Sequence, residues 1–344
     1  MAPGTAIWTC PPSDGNMHRK STRGGSGCAG ARRDPPYERA RGMTPTTRRS
    51  ALKTLTGTAA VTAVASQLSA SLSAADQALG PLKGRVRHSV CKWTFPDIPL
   101  DQFAGICKDL GMSSIELLQP TDMETLGRHG LTIAMCSGRG AKHASGVAVG
   151  GIPRAWNRVE YHDVLLEAAE QQIATLASLG LPNMICFSGN RDGLDDEQGL
   201  ENCAIGLKRL MPAAERHQVV VCMELLNSKV NHPDYMCDHS AWGVELCKRV
   251  GSDHFKLLYD IYHMQIMEGD VIRTIRDSHQ YFGHYHTGGV PGRHEIDESQ
   301  ELYYPAVIKA IVETGYTGHI GQEFQPARAD TIASLRQSIA ICDV

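Results

Sequence analysis

No two of the eleven cysteines form a C-x-x-C pair, which removes the usual spacing of a thiolate zinc site or a thioredoxin-type redox pair. Cys136, Cys186 and Cys222 sit inside apolar runs, where a thiol behaves as a small hydrophobe. A disulfide framework is disfavoured as well: Cys10 and Cys28 precede position 76, and without them nine cysteines remain, an odd number. Net charge is scarce, −3 over 344 residues with 21% charged side chains, so no broad basic face is expected to attract nucleic acid or an anionic membrane. No apolar run reaches the eighteen or so residues that a membrane-spanning helix requires, and no stable span is expected. The first apolar strand is followed by "KWTFPDIPL", which lacks the glycines that cradle a phosphate in dinucleotide-binding folds. What is present is a chain 42% hydrophobic, long enough for one large domain plus an appendage, with a small molecule as its expected partner.

The appendage comes first. Residues 1–42 are rich in Gly, Pro and Arg, lack apolar periodicity, and are expected to form a disordered or mis-annotated extension before an internal Met43. Residues 43–75 begin "MTPTTRRSALK" and continue as an Ala/Thr/Ser-rich stretch with no acidic residue until Asp76. That layout is expected of an export signal, and "TRRSALK" resembles the twin-arginine consensus. Small residues at 73–75 suit a signal peptidase. The expectation is export to the periplasm or beyond by the twin-arginine machinery, with a cytoplasmic location if the leader does not function. An Arg-rich organellar transit peptide or a plain tail would read similarly.

Residues 76–344 read as a single domain of alternating strands and helices. Eight strand candidates are "RHSVCKW", "SSIELLQ", "LTIAMCS", "NMICFSG", "VVVCMELLN", "FKLLYDIYH", "FGHYHTG" and "GHIGQEF". Helical patterns separate them, among them "DEQGLENCAIGLKRLMPAAERH", and several end on a glycine suited to a left-handed C-cap. Eight such units over this length predict an α/β fold of the (β/α)8 TIM barrel type.

In such a barrel the C-terminal ends of the strands point into the active site. The fifth candidate strand ends in Glu224, the sixth in Asp260, the seventh in His286 and the eighth in Glu323. Each alone has an ordinary explanation: a helix cap for Asp260, a core histidine for His286. Together they would crowd three carboxylates in one closed mouth, and a divalent cation resolves that repulsion. The oxygen-rich set favours Mn2+, Mg2+ or Co2+, with Zn2+ also compatible. After the seventh strand, "GGVPGRHE" carries Arg293 over the mouth, where its fork could hold a carboxylate or paired hydroxyls. His284 shares a strand face with His286, one layer deeper. His88, Trp93, Asn157, His162 and Arg191 are weaker pocket candidates, each read first as structural or solvent-exposed.

The stretches "MELLNSKVNHPDYMCD", "YDIYHMQIMEGD" and "VPGRHE", in that order, closely resemble hydroxypyruvate isomerases of the xylose-isomerase-like superfamily, from about Val86 to Ala327. The resemblance implies metal-dependent interconversion of hydroxypyruvate and tartronate semialdehyde (2-hydroxy-3-oxopropanoate), an aldose-ketose type isomerisation. It implies that Glu224 and Glu323 are paired catalytic glutamates that also bind the metal, that Asp260 is a third ligand, and that His263 and Arg293 contact substrate. One position departs: hydroxypyruvate isomerases often carry Gln where this chain has His286, whereas the related ketose 3-epimerases carry His. An epimerase or other sugar isomerase is therefore the second expectation, and a non-catalytic sugar-binding barrel the third. A homo-oligomer is compatible with the resemblance.

Overall fold

The computed structural model describes residues 80–344. The expectations for residues 1–42 and 43–75 lie outside the described residues. Six parallel strands form one sheet in the order β1-β8-β7-β6-β5-β4: β1 (Arg87–Val90), β4 (Asn183–Cys186), β5 (Val220–Glu224), β6 (Phe255–Asp260), β7 (Phe282–Thr287) and β8 (His319–Gln322). A short antiparallel hairpin, β2 (Ala141–Lys142) with β3 (Ala148–Val149), lies apart from it.

The second and third predicted strands are present as extended segments that close the ring through isolated parallel bridges: Cys91 to Glu116, Ser114 to Thr132, Leu118 to Cys136, and Cys136 to Met184. They do not form continuous ladders because side chains replace some of the backbone partners. Ala134 N–H donates to Ser114 Oγ, and Asn183 Nδ2 donates to the Ala134 carbonyl, both at 2.8 Å. Leu117, at φ 56°, also breaks the pleat. The circuit is a (β/α)8 barrel with helices outside.

The helices lie close to their sequence patterns. Asp196–His217 coincides with its predicted span, with the Asp195 carboxylate accepting from Gln198 N–H at 2.8 Å as N-cap. Ser240–Val250 ends on Gly251 at φ 72°, a left-handed C-cap that a residue with a Cβ adopts only with strain. Among the described residues no helix is long and apolar enough to cross a membrane.

Alternation along the strands separates two cores. Met184, Val221, Met223, Leu257 and Tyr259 pack outward into the large sheet-to-helix core. Met135, Ile185, Cys222 and Leu258 form a second cluster inside the ring. Glu224 lies two residues beyond Cys222 and Asp260 two beyond Leu258, so period two places both carboxylates inside, one layer higher, at the mouth. The β6–β7 register skips Gly283: Leu257 pairs with Phe282 but Leu258 with His284, and Asp260 then pairs with His286. That bulge aligns both histidines with the inward row. All nine cysteines among the described residues are buried and free, as core thiols should be.

Candidate active site

Glu224, Asp260, His286 and Glu323 converge. One ligand atom from each lies within 4.8 Å of the others, and all four residues are buried. The expected constellation is thus brought together by neighbouring strands β5 to β8, with Glu323 immediately after β8.

The cluster has the donor chemistry of a divalent ion site. Glu224 Oε1 and His286 Nδ1 are buried without a hydrogen-bond partner, although they lie 3.7 Å apart. His286 Nδ1 is also 2.8 Å from Glu323 Oε2, off the hydrogen-bond axis. Buried polar atoms are normally paired, so ligand atoms left unpaired around a small shared space fit a cation that would displace the proton on His286. Cys222 stays in the apolar layer below and is not among the groupings able to hold an ion.

Asp260 divides its oxygens between two tasks. Oδ1 accepts from Tyr262 N–H at 2.8 Å and His263 N–H at 3.3 Å, capping the helix Ile261–Met267. Oδ2 faces the cluster and accepts from Arg293 Nη2 at 3.2 Å. Burial, and then the negative charges of Glu323 and Glu224 working against Arg293, pushes its carboxyl up to about 8.

The two glutamates differ. Burial, reinforced by Glu323, raises the Glu224 carboxyl above its ordinary range. Glu323 accepts from Trp93 Nε1 at 2.8 Å on Oε1 and from Arg293 Nη2 at 2.6 Å on Oε2. Burial works against its ionisation, but Arg293 and His286 overcome that and hold it well below the usual carboxylate range. Glu224 is therefore the carboxylate freer to exchange a proton.

Arg293 is buried at the mouth, its guanidinium carbon 5.2 Å from the Trp93 ring centre and 5.3 Å from that of Tyr262. Its Nε has no partner. The segment around it is fixed by close approach: a Cβ on Gly289 would come within 2.2 Å of the Glu295 carbonyl. Glu295 in turn accepts from Ala327 N–H at 3.1 Å and Ser334 Oγ at 2.8 Å, tying this loop to the one after β8.

His263 is fully buried, and burial followed by the nearby Arg293 charge keeps its imidazole neutral, well below the ordinary histidine value. Asn227 N–H donates to its Nδ1 at 3.1 Å, which leaves the proton on Nε2. That Nε2 has no hydrogen-bond partner and sits 3.6 Å from Asp260 Oδ2. It is a donor aimed into the site.

The weaker candidates separate. Trp93 belongs to the site through Glu323 and Arg293. His162 donates to the Trp156 carbonyl at 2.9 Å, Asn157 donates to the Asn190 carbonyl at 2.6 Å, and Arg191 pairs with Asp196 and Asp238, all in structural roles. His88 is buried in β1 with neither ring nitrogen partnered, and burial lowers it to about 4. Sequence reasoning missed Glu116, a fully buried carboxylate between the apolar Ile115 and Leu117, and Asn227, which fixes the His263 tautomer. The signal for Glu116 was a charge inside an apolar strand candidate.

A model of the family described as xylose isomerase-like TIM barrel matches residues 105–341. A human protein named putative hydroxypyruvate isomerase is 30% identical over 174 residues, 49% of this chain and 62% of that protein. A Cupriavidus necator 2-oxo-tetronate isomerase is 38% identical over 136 residues, 40% of this chain and 50% of its own length. The chain thus spans between half and two thirds of these two relatives. Among solved structures, one from Brucella melitensis described as an AP endonuclease of family 2 is 26% identical, covers 73% of this chain and 97% of its own, and superposes with a TM-score of 0.62.

Proposed function

Because the chain belongs to the xylose isomerase-like TIM barrel family, we propose that it is a divalent-metal-dependent isomerase of small hydroxy-carbonyl compounds, with hydroxypyruvate and tartronate semialdehyde as its pair. The names of the human and Cupriavidus relatives support an isomerase of this kind. The observation that carries the reading is the meeting of Glu224, Asp260, His286 and Glu323 within 4.8 Å, with Glu224 Oε1 and His286 Nδ1 buried and left without hydrogen-bond partners.

These four side chains would hold the ion, which would supply Lewis-acid stabilisation of negative charge on substrate oxygens. The reaction moves a proton from the hydroxyl-bearing carbon to the adjacent carbonyl carbon, through an enediolate spanning the two, and needs a base at the first carbon and an acid at the second. Glu224, with its raised carboxyl and its free Oε1, takes and returns the proton. Glu224 thus acts as base toward one carbon and then as acid toward its neighbour, while Glu323, pinned through both oxygens and ionised, would help hold the ion and accept a hydrogen bond from a substrate hydroxyl. His263 donates a hydrogen bond from its Nε2–H to a substrate oxygen, and Arg293, wedged between Trp93 and Tyr262, faces a substrate carboxylate or hydroxyl pair. Burial of all these groups keeps water away from the enediolate.

The second reading, a ketose 3-epimerase, rests on His286 at a position where hydroxypyruvate isomerases often have Gln. It uses the same carboxylates and differs in substrate. A nuclease reading has less support, since three carboxylates accompany one histidine in the cluster and the chain is slightly acidic. The test is turnover by the metal-stripped and Mn2+-reloaded protein on hydroxypyruvate and on a ketose panel. Mn2+-dependent conversion of hydroxypyruvate is expected; conversion of ketoses alone selects the epimerase, and no conversion of either contradicts the isomerase reading.

A further inference from the structure

Beneath the mouth, His286 is gripped from its other side. Its Nε2 edge faces the Glu116 carboxylate, with Oε2 at 3.5 Å, and the Cys91 thiol at 3.8 Å. Glu116 Oε2 is also 2.6 Å from His284 Nε2. Glu116, His284 and His286 are all fully buried, and neither Glu116 oxygen has an aligned hydrogen-bond donor. The carboxylate fits only because residue 321 has no side chain: a Cβ there would lie 2.2 Å from Glu116 Oε1 and 2.8 Å from His286 Cδ2.

A carboxylate this deep, lacking aligned donors, is a costly choice if stability is its purpose, since an isosteric neutral residue of the same volume removes the desolvation penalty. The relation to His286 explains the charge better. For Nδ1 to offer its lone pair to the mouth, the ring must carry its proton on Nε2, and Nε2 is the edge that meets Glu116.

We propose that Glu116 is a positioning residue that acts through His286: its buried negative charge fixes the ring orientation and the Nε2-protonated tautomer, and so raises the affinity of the mouth for a divalent cation. His284 Nε2 meets the carboxylate from the opposite side at 2.6 Å, and Gly321 provides the space. This inference rests on the proposed cation-binding role of the mouth.

The test is Mn2+ titration, followed by the electron paramagnetic resonance signal of free Mn2+, of the full chain, Glu116→Gln, Glu116→Asp and Glu224→Gln, alongside thermal unfolding of the metal-free proteins. Glu116→Gln keeps the shape and removes the charge. It is expected to bind Mn2+ roughly 10- to 100-fold more weakly, with a metal-free unfolding midpoint equal to or above wild type. A merely structural role would lower the midpoint and leave the affinity alone. Glu116→Asp retains the charge but withdraws it by one methylene, and is expected to fall between wild type and Glu116→Gln. Wild-type affinity in Glu116→Gln overturns the inference while leaving the cation site standing. If Glu116→Gln does not fold, wild-type affinity in Glu116→Asp overturns it instead. A wild-type protein that binds no more Mn2+ than Glu224→Gln overturns the cation reading and this inference with it.

Discussion

The two oxygens of Asp260 show why single residues were easy to underrate in the sequence. The helix cap and the proposed site role do not compete, because Oδ1 caps Ile261–Met267 while Oδ2 is left to face the cluster and accept from Arg293. The glutamates are alike in sequence and unlike in place. Glu224 has a buried oxygen without a partner, whereas Glu323 is held by Trp93 and Arg293. At saturating Mn2+, Glu224→Gln is therefore expected to lower kcat by roughly 10²- to 10⁴-fold, the usual range for losing a general acid or base, with little change in KM. Glu323→Gln removes the charge on which Arg293 and His286 converge, and is expected to weaken Mn2+ binding more than Glu224→Gln does. Steady-state kinetics over a Mn2+ series checks both, and equal turnover in wild type and Glu224→Gln would sink the assignment. Glu116 was illegible for a related reason. Alternation marks it as polar against Ile115 and Leu117, but alternation alone does not say that the polar side of a barrel strand is also buried.

At the scale of elements, the helices were legible because their apolar spacing and end signals agree, as Asp195 and Gly251 show. Strands β5 and β6 were legible because each is a largely apolar run closed by a carboxylate, whereas β7 and β8 are short mixed segments, each bordered by glycine at one end. The second and third were harder: hydrogen bonds from Asn183 and to Ser114 stand in for ladder bonds, and local sequence does not reveal partners that distant. Nor did it reveal the skip at Gly283, on which the inward alignment of His284 and His286 depends. The close packing at β8 gives a sharper test. In Gly321→Ala the new methyl would meet Glu116 Oε1 and His286 Cδ2, both buried side chains with little room to yield. Destabilisation of about 1–3 kcal/mol is expected from overpacking, together with weaker Mn2+ binding as His286 is displaced. Chemical denaturation and metal titration read the two effects; a variant identical to wild type in both would show that this approach is not critical.

Across the whole molecule, the barrel gathers three carboxylates, an imidazole and a guanidinium in one buried volume, so its stability should depend on proton and metal together. In the metal-free protein Asp260 is pushed up to about 8, Glu224 is raised, and His286 is raised well above its ordinary value; burial drives the first two, whereas for His286 burial opposes the shift and the neighbouring Cys91 and Glu323 outweigh it. In each case the folded state retains a proton that the unfolded chain has already released. The folded state therefore loses relative stability as pH rises, for Asp260 between the ordinary carboxylate range and about 8. Below the ordinary histidine value the trend is opposed by His88, His232, His263 and His319, which burial holds neutral in the folded state, so the unfolding midpoint of chelator-treated protein is expected to fall from about pH 7 to about pH 8.5, and Mn2+ is expected to restore it most at the alkaline end, where fewer protons compete for the ligands. A flat profile that Mn2+ does not alter would contradict this electrostatic account.

The most direct measurement is anomalous diffraction at the manganese edge from crystals grown with Mn2+. The account requires one strong peak per chain within bonding distance of Glu224, Asp260, His286 and Glu323, absent from crystals of Asp260→Asn. A peak elsewhere on the molecule, or an empty mouth at Mn2+ concentrations that support turnover, would contradict it.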